Sequence, residues 1–131
     1  MREGFLVMIE QIIKRDGRTA PFELDKIANA IFGAAQSVGG QDYEMAHELA
    51  EQVEKELEKT VSEKIPTVEQ IQDTVETVLI ESGHARTAKK YILYRDERTR
   101  VREMNTRLMK VYEDLTFKSS IENDIKRENA N

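Results

Sequence analysis

The stretch Ile12-Ile13-Lys14-Arg15-Asp16-Gly17-Arg18-Thr19-Ala20-Pro21-Phe22-Glu23-Leu24 decides the fold. Two short runs flank Arg15-Asp16-Gly17-Arg18. Asp-Gly between such runs signals a tight hairpin, because glycine reaches positive φ without a steric cost. A β-hairpin is therefore expected over about 10–23. Pro21 has no N–H to give to a ladder, so it marks an edge or a strand end. A lone hairpin is marginal in water and must lie on an apolar surface.

The rest of the chain supplies that surface as helices. Leu24, Ile27, Ala28, Ile31, Phe32 and Ala35 follow one face of a 3.6-residue period, and Gly39-Gly40 ends it. A second helix is expected from Tyr43 to Lys59, with Ala46, Leu49, Val53 and Leu57 inward. Its outer face carries Glu44, Glu48, Glu51, Glu54, Glu56 and Glu58. Such a run is ordinarily a solvated face; an acidic docking surface is the sharper alternative. Pro66-Thr67-Val68-Glu69-Gln70 reads as a helix start with a Thr67/Gln70 capping box. Val68, Ile71, Val75, Val78 and Leu79 form the third inward stripe, and Ser82-Gly83 ends it.

A fourth helix is expected from near Ala85, with no breaker before the 116–120 region. Its inward stripe is Ala88, Tyr91, Ile92 and Leu93. It continues as a two-heptad seam, Val101, Met104, Leu108, Val111 and Leu115, that seeks a partner helix or another domain. Thr116 to Asn131 is polar and reads as linker or disorder. The fold class is α+β, mainly α: a four-helix bundle capped by a small β-hairpin lid.

Composition narrows the function. The chain has 131 residues, a net charge of −5, and 34% charged residues. It contains no cysteine, which excludes disulfides, thiolate zinc sites and thiol or thiyl chemistry by this chain. No apolar run approaches the roughly 20 residues of a membrane span. The N-terminus lacks the cleavage site of a signal peptide, so a soluble, cytoplasmic protein is expected. His47 and His84 have no second ligand at a usable spacing, so no metal site is expected. Neither a Walker loop nor a G-x-G-x-x-G occurs, and no catalytic residues are assigned.

The cations carry the remaining signal. Lys14 and Arg15 alternate to opposite hairpin faces. Lys26 opposes the dipole of the first helix, and a bound anion would relieve that mismatch. The start of that helix with Lys14, Arg15 and Lys26 is either a polyphosphate site or an ordinary cationic surface. The fourth helix carries Arg86, Lys89, Lys90, Arg95, Arg98, Arg100, Arg102, Arg107 and Lys110. Salt bridging to the acidic second helix is the plain reading. Anion binding near Lys89 to Arg98 and nucleic-acid contact are the alternatives, the latter ranked last because the chain is acidic.

The string from Ile12 to Ile27 resembles the opening of the ATP-cone, a nucleotide-sensing regulatory domain at the N-terminus of many ribonucleotide reductases. Thr67 to Glu76 is similar to that family's third-helix motif, and Ala88 to Arg95 to its last helix. The resemblance covers about 10–100, in order and spacing. It implies a sheet lid on a four-helix bundle with ATP, as activator, or dATP, as inhibitor, bound between them with Mg2+. By resemblance, Lys14, Arg15 and Lys26 hold phosphates, and Lys90 or Arg95 completes that site. Ile12, Phe22 and Ile27 wall the adenine. Residues Ala20 to Glu23 make its polar edge contacts, and Val68 and Gln72 close the pocket. Some members carry a carboxylate where Ala20 stands, so base recognition here falls to backbone or Glu23. The ending, Ser120 to Asn131, is similar to the segment entering the catalytic barrel of anaerobic, class III, ribonucleoside-triphosphate reductases. The resemblance thus implies an N-terminal extension at 1–9, the cone at 10–100, a helix continuation at 101–115, and a linker at 116–131 toward a catalytic domain. The implied partners are that domain and further copies of the chain, through cone or fourth-helix contacts.

Overall fold

The computed structural model describes the backbone at residues 9–61 and 65–129, and the side chains through Lys118 apart from Val61. Of the N-terminal extension expected at 1–9, only Ile9 falls within the described residues. The element order is β1 (Gln11–Ile13), β2 (Thr19–Pro21), α1 (Leu24–Gln36), α2 (Tyr43–Val61), α3 (Val68–Glu81) and α4 (Ala85–Asn129). The chain divides into two compact units, one through Tyr94 and one from Arg95.

In the first unit, β1 and β2 pair antiparallel with Gln11 opposite Pro21, Ile12 opposite Ala20 and Ile13 opposite Thr19. Lys14 N–H donates to the Arg18 carbonyl at 2.7 Å, and Gly17 N–H donates to the Lys14 carbonyl at 2.9 Å. That closes a three-residue loop whose last position must be left-handed, and Gly17 sits there with φ +89°. Asp16 braces the loop by accepting from Arg18 N–H at 3.1 Å and Arg18 Nε at 2.7 Å. These contacts, the backbone N–H first, hold the Asp16 carboxyl below its ordinary value.

Ladder alternation explains both Pro21 and the docking of the hairpin. Phe22 N–H donates to the Glu10 carbonyl at 2.9 Å, so Ile12–Ala20 is the next hydrogen-bonded pair. The flanking positions need no cross-strand donor. Pro21 occupies one of them, and Ile13 at the other sends its N–H outward to the Pro66 carbonyl at 2.9 Å. A parallel bridge between Ile13 and Thr67 follows. The lid is thereby fixed to the lead-in of α3.

α3 begins with the expected capping box. The Thr67 hydroxyl accepts from Gln70 N–H at 3.1 Å, and Gln70 Oε1 accepts from Thr67 N–H at 2.9 Å. The helix ends at Gly83, at φ +84°, where His84 N–H reaches back to the Leu79 carbonyl at 2.9 Å. The core is built from the expected stripes: Ile27, Ala28 and Ile31; Ala46, Leu49, Val53 and Leu57; Ile71, Val75, Val78 and Leu79. Full burial of each large aliphatic side chain contributes roughly 1.5–3 kcal/mol. α1 also meets α2 through Tyr43, whose hydroxyl donates to Asn29 Oδ1 at 2.9 Å. The Tyr43 ring stands edge-on to Phe32 with centroids 5.2 Å apart.

α4 departs from expectation twice. Ala88 and Tyr91 are buried and Ile92 is half-buried, but Leu93 is exposed. Successive helix positions turn by about 100°, so Tyr91, Ile92 and Leu93 span too wide an arc to face one core. The helix also runs past the 116–120 region to Asn129. No glycine or proline follows Gly83 in the sequence, and polar composition alone does not stop a helix. In the second unit the seam residues Val101, Met104, Leu108, Val111 and Leu115 are all exposed. No helix among the described residues is long and apolar enough to cross a membrane.

Candidate functional site

A cleft of about 240 Å³ opens in the first unit beneath the hairpin. β1 lends Ile12, and the turn that follows lends Lys14. β2 and the residues leading into α1 contribute Ala20, Pro21, Phe22 and Glu23. α1 presents Lys26, Ile27 and Ala30; α3 presents Val68, Ile71, Gln72 and Val75; Tyr91 of α4 completes the lining. The hairpin register explains why β1 and β2 both contribute. Ile12 and Ala20 face each other across the ladder, so their side chains share one sheet face.

The cleft is mostly apolar; its polar lining residues are Lys14, Lys26, Glu23, Gln72 and Tyr91. Such a lining suits a flat heteroaromatic group with a charged appendage. Its volume falls below the roughly 300–1,000 Å³ that swallow a drug-sized ligand.

Most residues expected from sequence converge here: Ile12, Lys14, Ala20, Phe22, Glu23, Lys26, Ile27, Val68 and Gln72. Arg15 does not line the cleft. Its Nη1 pairs with the Glu69 carboxylate, and its Nη2 donates to Gln72 Oε1 at 3.0 Å. It stands one side chain behind the lining, held to the first turn of α3. Lys90 is exposed and is not among the lining residues. Arg95 belongs to the second unit, where it is half-buried.

Two polar expectations change in detail. Glu23 Oε2 lies 2.8 Å from Lys26 Nζ. The unfavourable cation near the start of α1 is therefore already answered within the chain. The same pairing engages the carboxylate expected to read a base edge. The backbone of Ala20 is directed to Ile12 by the ladder, so its contribution to the cleft is its side chain. Among the described residues, no carboxylate pairs with Lys14.

Pro21 lies within the expected Ala20-to-Glu23 segment, and Ala30, Ile71, Val75 and Tyr91 line the cleft beyond the residues expected. For Ala30, Ile71 and Val75 the signal is spacing. Val68, Ile71, Gln72 and Val75 recur at i, i+3, i+4 and i+7, and Ala30 stands three and four residues after Ile27 and Lys26. Any helix face that holds Val68 and Gln72 also holds Ile71 and Val75. No group of three His, Cys, Asp or Glu suited to a metal ion occurs among the described residues.

Comparison with protein families matches residues 10–100 to the ATP cone domain. Among curated proteins, a vitamin B12-dependent ribonucleoside-diphosphate reductase of Thermoplasma acidophilum is 43% identical over 113 residues, covering 82% of this chain and 14% of the relative. An anaerobic ribonucleoside-triphosphate reductase of Haemophilus influenzae is 38% identical over 120 residues, covering 92% of this chain and 16% of the relative. A ribonucleoside-diphosphate reductase subunit alpha of Chlamydia muridarum is 38% identical over 101 residues, covering 70% and 10%. The chain thus spans between 10% and 16% of the length of these three relatives.

Proposed function

This chain belongs to the ATP cone domain family, and on that premise we propose that it is an allosteric regulatory domain sensing ATP and dATP for an anaerobic ribonucleotide reductase. The cleft beneath the hairpin is the binding site. Ile12, Phe22 and Ile27 hold the adenine, and Lys14 and Lys26 hold phosphate oxygens. Val68 and Gln72 close the site from α3, and Mg2+ arrives with the triphosphate. The observation that carries this reading is that Lys14 and Lys26 line the same largely apolar cleft as Ile12, Phe22 and Ile27.

ATP activates and dATP inhibits by shifting the balance between arrangements of the lid and helices. A ligand moves such a balance only by its difference in affinity for the two states. The protein works in the cytoplasm, where adenine nucleotides and the reductase body meet. The reaction itself belongs to the catalytic domain, since this chain has no cysteine.

Calorimetric titration with ATP and dATP, with and without Mg2+, tests this reading. Saturable binding of both is expected. Lys14→Ala with Lys26→Ala should weaken both by at least about tenfold, the worth of one charge-assisted hydrogen bond. No heat from either nucleotide at millimolar concentration contradicts it.

A second reading is favoured by the exposed stripe from Val101 to Leu115. It makes the chain an interaction module that docks through α4 on the reductase's catalytic domain, whatever the nucleotide. Light scattering with the catalytic domain, with and without dATP, separates the two readings. Association of the isolated chain with itself would instead assign the stripe to a second copy.

A further inference from the structure

Arg15 follows the cleft-lining Lys14 in the hairpin turn, yet its guanidinium is already occupied. Its guanidinium leaves the hairpin turn and reaches 54 positions along the chain to the Glu69 carboxylate, and 57 positions to Gln72. Lys14 beside it and Gln72 beyond it both line the cleft. We infer that Glu69 is a resident counter-charge for the site: it holds Arg15 on the first turn of α3 until a nucleotide phosphate takes its place. This inference rests on the nucleotide reading above.

Two observations and one chemical argument support an exchange rather than a permanent brace. The pair is open to solvent, with side-chain exposures of 32% for Arg15 and 47% for Glu69. Water and a ligand therefore reach both partners, and a solvent-exposed ion pair is weak. Arg15 and Asp16 occupy the hairpin loop, while the strand below is secured separately by Ile13 N–H to the Pro66 carbonyl. Releasing the guanidinium would leave both the loop's own bonds and the docking of the lid in place. Finally, a polyphosphate offers several anionic oxygens against a single carboxylate, and guanidinium binds such groups bidentately.

The exchange also carries information. Arginine has only donors, so Gln72 presents its carbonyl oxygen to Arg15 in the structure. When phosphate withdraws Arg15, Gln72 regains a free acceptor at the wall of the cleft. Events at the phosphates are thereby transmitted to the α3 side chain that faces the rest of the ligand. Glu69 sets how tightly the empty site holds its resting form.

The test is a double-mutant cycle read by calorimetry with Mg-ATP on the whole chain, with melting curves confirming that each variant is folded. An exposed ion pair worth ~0.2–1 kcal/mol corresponds to about 1.4- to 5-fold in affinity. Glu69→Gln should tighten ATP by about that factor. In an Arg15→Ala background the same substitution should change nothing. Unchanged or weaker binding by Glu69→Gln overturns the inference. So does an equal gain in both backgrounds, which would be a general charge effect rather than release of Arg15. Absence of ATP binding by the unmodified chain overturns the nucleotide reading itself, and the inference with it.

Discussion

Thr67→Ala isolates the hydroxyl that starts α3 and stands where the lid meets the bundle. The substitution removes the 3.1 Å bond from Gln70 N–H to the Thr67 hydroxyl. It keeps the 2.9 Å bond from Thr67 N–H to Gln70 Oε1, because that donor is backbone. Half of the capping box is lost, so the cost should lie near 1 kcal/mol, mid-range for replacing an N-cap residue with alanine. Thr67 is only half-buried, so cavity formation adds little. For a domain of this size a change of about 1 kcal/mol moves the melting midpoint by roughly 4–8 °C. Thermal unfolding followed by circular dichroism reads the shift directly. Thr67→Ser retains the hydroxyl and should recover most of the loss. An unchanged midpoint for Thr67→Ala, or an equal loss for Thr67→Ser, would refute the role given to the hydroxyl. Amide exchange at Ile13 should accelerate in the alanine variant, since its N–H is bonded to the neighbouring Pro66 carbonyl.

Other outcomes follow from single features. Gly17→Ala introduces no clash, since nothing lies within 4 Å of the added carbon, but φ is +89°. Backbone strain alone should cost about 1–2 kcal/mol in urea denaturation, with Gly17→Asn costing less. Burial, then Glu58 and Glu51, raise the Glu54 carboxyl above its ordinary 4.5. Ionised Glu54 therefore opposes folding above that ordinary value, and the opposition fades as the pH falls and it protonates. Glu54→Gln should stabilise the protein by a few tenths of a kcal/mol at neutral pH, as expected for relieved like-charge helix pairs. That advantage should vanish in acid, and a constant advantage across pH would reject the assignment.

The features legible in the sequence were those with local or periodic causes. Asp16-Gly17 marked the turn because its backbone geometry demands it. Thr67 and Gln70 marked a helix start because both partners lie within one turn. The stripes on α1, α2 and α3 identified the core because burial repeats with the helical period. The cleft residues were reached through family resemblance, and helical spacing extends them to Ile71 and Val75. The partner of Arg15 was not legible, because ion pairs between exposed side chains far apart in sequence leave no periodic trace. Glu69 read only as one residue of a capping-box helix start. The end of α4 was not legible, because a polar composition resembles a linker while a stretch without glycine or proline can stay helical to Asn129.

The most direct test of the account is a crystal structure of the chain with ATP. The base should lie against Ile12, Phe22 and Ile27, with Lys14 and Lys26 on the phosphates and Val68 and Gln72 across the ligand. Nucleotide bound elsewhere, with the space beneath the hairpin empty, would contradict the assignment of this cleft as the sensor.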